Sequence, residues 1–255
     1  MAGPGMELVG EEEIEEVLQV LRAGYLYRYG ITTGDGVDPR FQGKVYQLEQ
    51  EIAAMSQVRY AVAVNSGTSA LLAALAALGI GPGDEVIAHW SSHIIGYESG
   101  GPAALAGAMV HPLGGDHGRF TGEQVARAIR PKSRYMPPSR LVSIEQTANL
   151  AGGAIWPLEV IDEVAEVAHS AGLLTHMDGA RLLNAAVATG ISAARYAEGM
   201  DSVWIDLTKG LGAGVGAVMA GSLDYAAINA AMAQGDGNQT GLFIALAFLP
   251  ARSGP

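Results

Sequence analysis

The chain has 255 residues, of which 49% are hydrophobic, so a sizeable core is possible and bulk disorder is excluded. Its 15 Lys and Arg against 26 Asp and Glu leave a net charge of −11, with no basic run to attract nucleic acid or an anionic membrane. Zero cysteines exclude disulfides, thiolate-bound zinc and a thiol nucleophile. Glycine is 35 of 255, roughly twice its usual share of ~7%, without a collagen period. That excess points to tight turns and to backbone lying close against something small.

In chain order, the first ten residues carry no basic segment, and Glu11, Glu12, Glu13, Glu15 and Glu16 follow. This start is no secretory signal, and the expectation is a cytoplasmic protein. Glu11 to Tyr25 reads as an acidic surface helix, with Ile14, Val17, Leu18 and Leu21 at helical spacing. Ile31 to Gly43 reads as loop, and Val45 to Met55 as helix. The uncharged stretch Ala61 to Gly83 is long enough to span a bilayer. Its interior Asn65-Ser66-Gly67-Thr68-Ser69 breaks it into a strand, Tyr60–Val64, and a helix, Thr68–Leu78. Further strands are expected at Glu85–His89, Leu141–Ile144, Leu173–Met177, Ser202–Asp206 and Val215–Ala220. Helices are expected at Thr121–Arg130, Leu158–Ala171 and Asp224–Ala233. Alternating strands and helices argue an α/β domain with a mostly parallel sheet, whose ligands bind at the carboxyl ends of the strands.

Polar residues gather at those ends. Ser66-Gly67-Thr68 opens a helix, where free N–H groups suit a phosphate and glycine lets a ligand approach; a plain Ser/Thr cap is the ordinary alternative. Asp178 ends a strand and can hold a protonated ring nitrogen. Arg181, three residues on, is placed on the first turn of the next helix, for a phenolate or a substrate carboxylate. A local Asp–Arg ion pair would explain the same two residues. His176 shares the strand face of Asp178 and reads as a buried supporting residue. Thr208-Lys209-Gly210 follows an apolar strand, where a desolvated lysine can do Schiff-base chemistry, although a surface lysine in a turn is commoner. His93, ahead of Glu98 and Gly100-Gly101, can stack on a planar cofactor or simply pack in its loop. His111, Asp116 and His117 have too little support as metal ligands, and no metal is expected.

Together these segments resemble pyridoxal phosphate enzymes of the aspartate aminotransferase fold type. From about Ser92 to Ser222 the chain resembles the low-specificity threonine aldolases and β-eliminating lyases. The residues that carry this are His93 to Gly101, Glu145-Gln146-Thr147-Ala148-Asn149 with Gly152-Gly153, His176 to Arg181, and Thr208 to Ala213, with Lys209 lying 31 residues after Asp178. Residues Phe41 to Ile87 look more like the sugar aminotransferases of the same fold type, through Lys44 to Glu49, Asn65 to Leu71 and Gly79 to Val86. The resemblance implies a three-layer α/β/α fold with a mostly parallel central sheet and a C-terminal small domain cut short. Its expected parts are an N-terminal helix and loop at 1–44, a large cofactor-binding domain at 45–235 and a tail at 236–255, with Arg252 a weak stand-in for the carboxylate-binding arginine of a small domain. It also implies that Lys209 binds pyridoxal 5′-phosphate covalently and that Asp178 holds the pyridinium nitrogen. Ser66, Gly67, Thr68 and Thr208 would bind the phosphate. His93 would stack on the ring and relay a proton, and Arg181 would meet the ring oxygen or the substrate carboxylate. The implied activity is cleavage of a threonine-like amino acid to glycine and an aldehyde by a homo-oligomer, with an aminotransferase or an inactive cofactor-binding fragment as alternatives.

Overall fold

The computed structural model describes residues 9–26, 32–33, 36–37, 40 and 43–221. In chain order these hold α1 (Glu11–Ala23), β1 (Thr32–Thr33), β2 (Gly36–Val37), α2 (Lys44–Met55), β3 (Tyr60–Val64) and α3 (Gly67–Ala77). Then come β4 (Glu85–His89), α4 (His93–Gly96), α5 (Gly101–Ala104), β5 (Met109–Leu113), α6 (Gly122–Ala128), β6 (Ser139–Glu145) and α7 (Leu158–Ser170). The last elements are β7 (Leu174–Asp178), α8 (Leu182–Thr189), α9 (Ala193–Ala197), β8 (Ser202–Asp206) and β9 (Ala217–Gly221).

Among the described residues, seven strands form one sheet in the order β3-β9-β8-β7-β6-β4-β5. Strands β5, β4, β6, β7 and β8 run parallel, and β9 is antiparallel to both β8 and β3. Alternation along the strands sorts side chains onto two faces. Val142, Ile144, Met177, Val203 and Ile205 join the large core cluster with Leu48 and Ile52 of α2, Ile161 and Val164 of α7 and Leu182 of α8. Each such Leu or Ile, fully buried, contributes roughly 1.5–3 kcal/mol. On the other face, Val62, Val64, Trp204 and Met219 pack against Ala70, Ala73 and Ala74 of α3, while Val86, Ala88 and Leu141 pack against Leu71 and Leu75 of the same helix. The alanines of α3 let it lie close on the sheet. The result is the expected three layers with a mostly parallel sheet. The intervening residues His176, Asp178, Ser143, Glu145 and Asp206 are all buried and alternate with that first set, so the polar ends of β6, β7 and β8 lie on the α3 side.

The structure differs from the sequence expectation in several places. Strand β5 lies at the sheet edge, with Met109 exposed and Pro112 inside it, so it carries no apolar run; proline is tolerated on an edge strand. Helix α9 also lies beyond the expected elements, whereas α8 is the helix expected after Asp178. Arg181 is the N-cap of α8, at φ −128° and ψ 27°, and not a residue of its first turn. The loop from Ile31 to Gly43 contains the small antiparallel pair β1–β2. The expected helix Asp224–Ala233 and the tail 236–255 with Arg252 lie outside the described residues. Among the described residues no helix is long and apolar enough to cross a membrane.

Candidate active site

The carboxyl ends of β3, β6, β7 and β8 open onto a cavity of about 420 Å³. Ser66, Gly67, Thr68, His93, Asp178, Arg181, Thr208 and Lys209 all line it. The structure thus brings these eight residues together from segments up to 143 residues apart.

The first wall is the start of α3. Ser66 caps the helix, its Oγ accepting the N–H of Ser69 at 3.2 Å. The N–H groups of Gly67 and Thr68 in the first turn have no acceptor inside the helix, and the helix dipole adds positive potential there. Gly67 is required by close approach: a Cβ there would lie 2.6 Å from the Trp204 ring. Gly179 meets β8 in the same manner, since a Cβ would lie 2.6 Å from the Trp204 carbonyl oxygen, which accepts the Gly179 N–H at 2.9 Å. Trp204 is therefore the floor on which two glycine turns rest. It is buried, and among the described residues its indole N–H has no hydrogen-bond partner.

Asp178 closes the β7 end. Its Oδ1 accepts the Ala180 N–H at 3.1 Å. Burial pushes its pKa up to about 8, and the charges of Glu145 and Glu98 push the same way, against the Ala180 N–H and His93. Two residues earlier, His176 is fully buried, bonded through Nδ1 to Ser202 Oγ at 2.7 Å, and held neutral by that burial with a pKa of about 3. It is the supporting residue the sequence suggested.

His93 begins the short helix α4. Its backbone N–H donates to Glu145 Oε2 at 2.7 Å, and the other oxygen of Glu145 accepts the Asn149 N–H at 2.7 Å, so one carboxylate at the end of β6 ties two loops to the site. The His93 ring stacks on Tyr97, with centroids 4.8 Å apart and planes 23° apart. Its Nδ1 makes a short bond to Glu98, which raises the His93 pKa against the opposing effect of burial.

Lys209 lies in the turn after β8, with Nζ 3.5 Å from Asp206 Oδ2. The other oxygen of Asp206 accepts both the N–H and the hydroxyl of Thr208 at 2.6 Å, which fixes the turn. Glu98, Glu145, Asn149, Trp204 and Asp206 line the cavity too; Asn149 and Asp206 stand at polar strand ends that the sequence points to as one shared site, whereas Glu145 and Trp204 carry no expected role. The period-two pattern of β8 could have marked Trp204, because it shares a face with Asp206 and Ser202.

Fold and cavity define an α/β protein with a cavity at the strand carboxyl ends, where such sheets bind their ligands. The beta-eliminating lyase family profile matches residues 29–252, and the chain belongs to that family. It is 39% identical over 184 residues to the probable low-specificity L-threonine aldolase 2 of Arabidopsis thaliana, covering 70% of this chain and 51% of that protein. It is 33% identical over 182 residues to the low specificity L-threonine aldolase of Escherichia coli K12, covering 71% of this chain and 54% of the relative. The chain thus spans about half the length of these relatives. Among solved structures, a putative L-allo-threonine aldolase from Listeria monocytogenes matches with TM-score 0.67 and 24% identity, over 88% of this chain and 58% of that one. A 3-amino-5-hydroxybenzoic acid synthase matches with TM-score 0.61 and 23% identity, over 91% of this chain and 53% of that one. The chain shares the fold of these two solved structures.

Proposed function

We propose that this chain is a pyridoxal-phosphate-dependent aldolase that cleaves threonine-like β-hydroxy-α-amino acids to glycine and an aldehyde. The observation that carries the reading is the convergence of His93, Asp178 and Lys209 on one cavity beside the start of α3. The cavity suits the cofactor on its own terms. Asp178 is buried, with two further carboxylates raising its pKa, so an N–H cation at that point would relieve it. The start of α3 offers N–H groups and a favourable dipole to a phosphate. Lys209 supplies an amine within the same cavity.

In this reading Ser66, Gly67, Thr68 and Thr208 hold the phosphate, Asp178 the ring nitrogen and Lys209 the aldehyde carbon. The bound cofactor supplies an electron-withdrawing ring that accepts the pair left when Cα–Cβ breaks. Arg181 orients the substrate by pairing with its carboxylate. His93 covers the ring face and takes the β-hydroxyl proton as the aldehyde carbonyl forms. Support for the aldolase reading over transamination comes from the similarity to proteins named threonine aldolases. Resemblance to this fold type also supports a homo-oligomer.

The test is aldehyde release from threonine by cofactor-loaded protein, without any added amino acceptor. The expected products are equal amounts of aldehyde and glycine. Amino transfer to a keto acid, with no aldehyde, would replace the aldolase reading.

A further inference from the structure

We propose that Glu98 is a positioning residue: by holding the ring of His93 through Nδ1, it fixes the tautomer and presents Nε2 to the cavity as the proton acceptor. The proposal rests on the reading of His93 as the base of the aldolase reaction.

Three observations carry it. First, His93 and Glu98 both line the cavity, and the Glu98 side chain is 1% exposed against 37% for His93, so the ring is the more open of the pair. Second, Glu98 bonds to Nδ1. A carboxylate only accepts, so the nitrogen it meets carries the proton and the neutral ring keeps Nε2 as its acceptor. The carboxylate form is the relevant one: burial raises the Glu98 pKa, but His93 and Thr68 hydrogen bonds, with the charges of His93 and Lys209, bring it below its usual value. Third, local structure does not account for this carboxylate. The turn at Gly101 is closed by the backbone carbonyl of Glu98, at 2.7 Å, and not by its side chain. Glu145 completes the arrangement from β6 by holding the backbone N–H of the same histidine. His93 is thus held at its backbone N–H and at one ring nitrogen, in the way an orienting carboxylate holds Nδ1 of the histidine in a hydrolase triad.

The charged groups facing His93 are Glu98, Asp178 and Glu145, and all three favour its protonated form. Glu98 is the one bonded to the ring. Glu98→Gln keeps the shape and removes that charge.

The decisive experiment is a ¹⁵N NMR titration of the histidine rings in cofactor-free protein, with His93 assigned by comparison with His93→Asn. Wild type should show the neutral His93 ring protonated on Nδ1, with a midpoint above the usual 6.5. In Glu98→Gln the midpoint should fall and the preference for Nδ1–H should be lost. In cofactor-loaded protein the same variant should lower kcat for threonine cleavage roughly 10²- to 10⁴-fold, while the glycine-induced change in the visible spectrum survives. A wild-type ring protonated on Nε2, or coincident His93 titrations in the two proteins, overturns the proposal. The wild-type tautomer needs no variant, so the test holds even where Glu98→Gln does not fold. The aldolase reading fails separately, if loaded wild type releases no aldehyde.

Discussion

Asp178→Asn should make the cofactor-free protein more stable while removing its activity. In the folded chain burial and the neighbouring carboxylates raise Asp178 from 3.8 to about 8. A group with a raised folded pKa contributes stability that is complete below its unfolded value and is lost as pH rises towards the folded one. For Asp178 that window runs from about 4 to about 8. Within it the protein should lose roughly 1 to 1.5 kcal/mol per pH unit on account of this one group, or of the order of 5 kcal/mol across the window. Asparagine carries no charge and can still accept the Ala180 N–H. Urea unfolding of both cofactor-free proteins between pH 4 and 8 should therefore give curves that diverge, with Asp178→Asn increasingly the more stable. Adding pyridoxal phosphate should reverse the order at pH 8, because only the carboxylate can pair with a protonated ring nitrogen. Parallel stability curves in the cofactor-free proteins would refute the reasoning, since they would mean that Asp178 is no more costly to ionise folded than unfolded.

His93→Asn should slow threonine cleavage by about 10²- to 10⁴-fold and leave the glycine-induced spectral change in place; equal loss of both would make His93 a packing residue. Gly67→Ala should destabilise the protein by about 1–3 kcal/mol, because the new methyl would sit 2.6 Å from the Trp204 ring, and should weaken pyridoxal phosphate binding measured by equilibrium dialysis. An unchanged melting temperature with unchanged binding would show that α3 has room to shift.

The sequence made most of the sheet legible because its buried strands are short apolar runs between turn residues. Strand β8 is an example: Val203 and Ile205 face the core, and Trp204 on the other face is apolar too, so nothing in Ser202–Asp206 breaks the run until the polar end. Strand β5 was hidden for the opposite reason, since an edge strand half open to solvent needs no apolar run, and Pro112 argues against a strand by composition. The reversed direction of β9 was equally hidden. A strand carries the same residues in either direction, and only the short connection through Gly210 to Gly216 hints at a return beside β8. The eight predicted site residues were visible because each stands at the end of a strand or the start of a helix within a recognisable motif. Glu98 and Glu145 were present in those motifs, but their work is to hold His93 through a ring nitrogen and a backbone N–H. Such bonds join residues 5 and 52 positions apart and depend on how two loops meet, which no local pattern encodes.

In the proposed enzyme this cavity holds pyridoxal phosphate on Lys209. This is tested most directly by loading the protein with the cofactor, reducing with borohydride and mapping the labelled peptide. One pyridoxyl group per chain is expected, on Lys209, and none on Lys209→Ala. A label on Lys44 or Lys132, or no label on protein that visibly retains the cofactor, would contradict it.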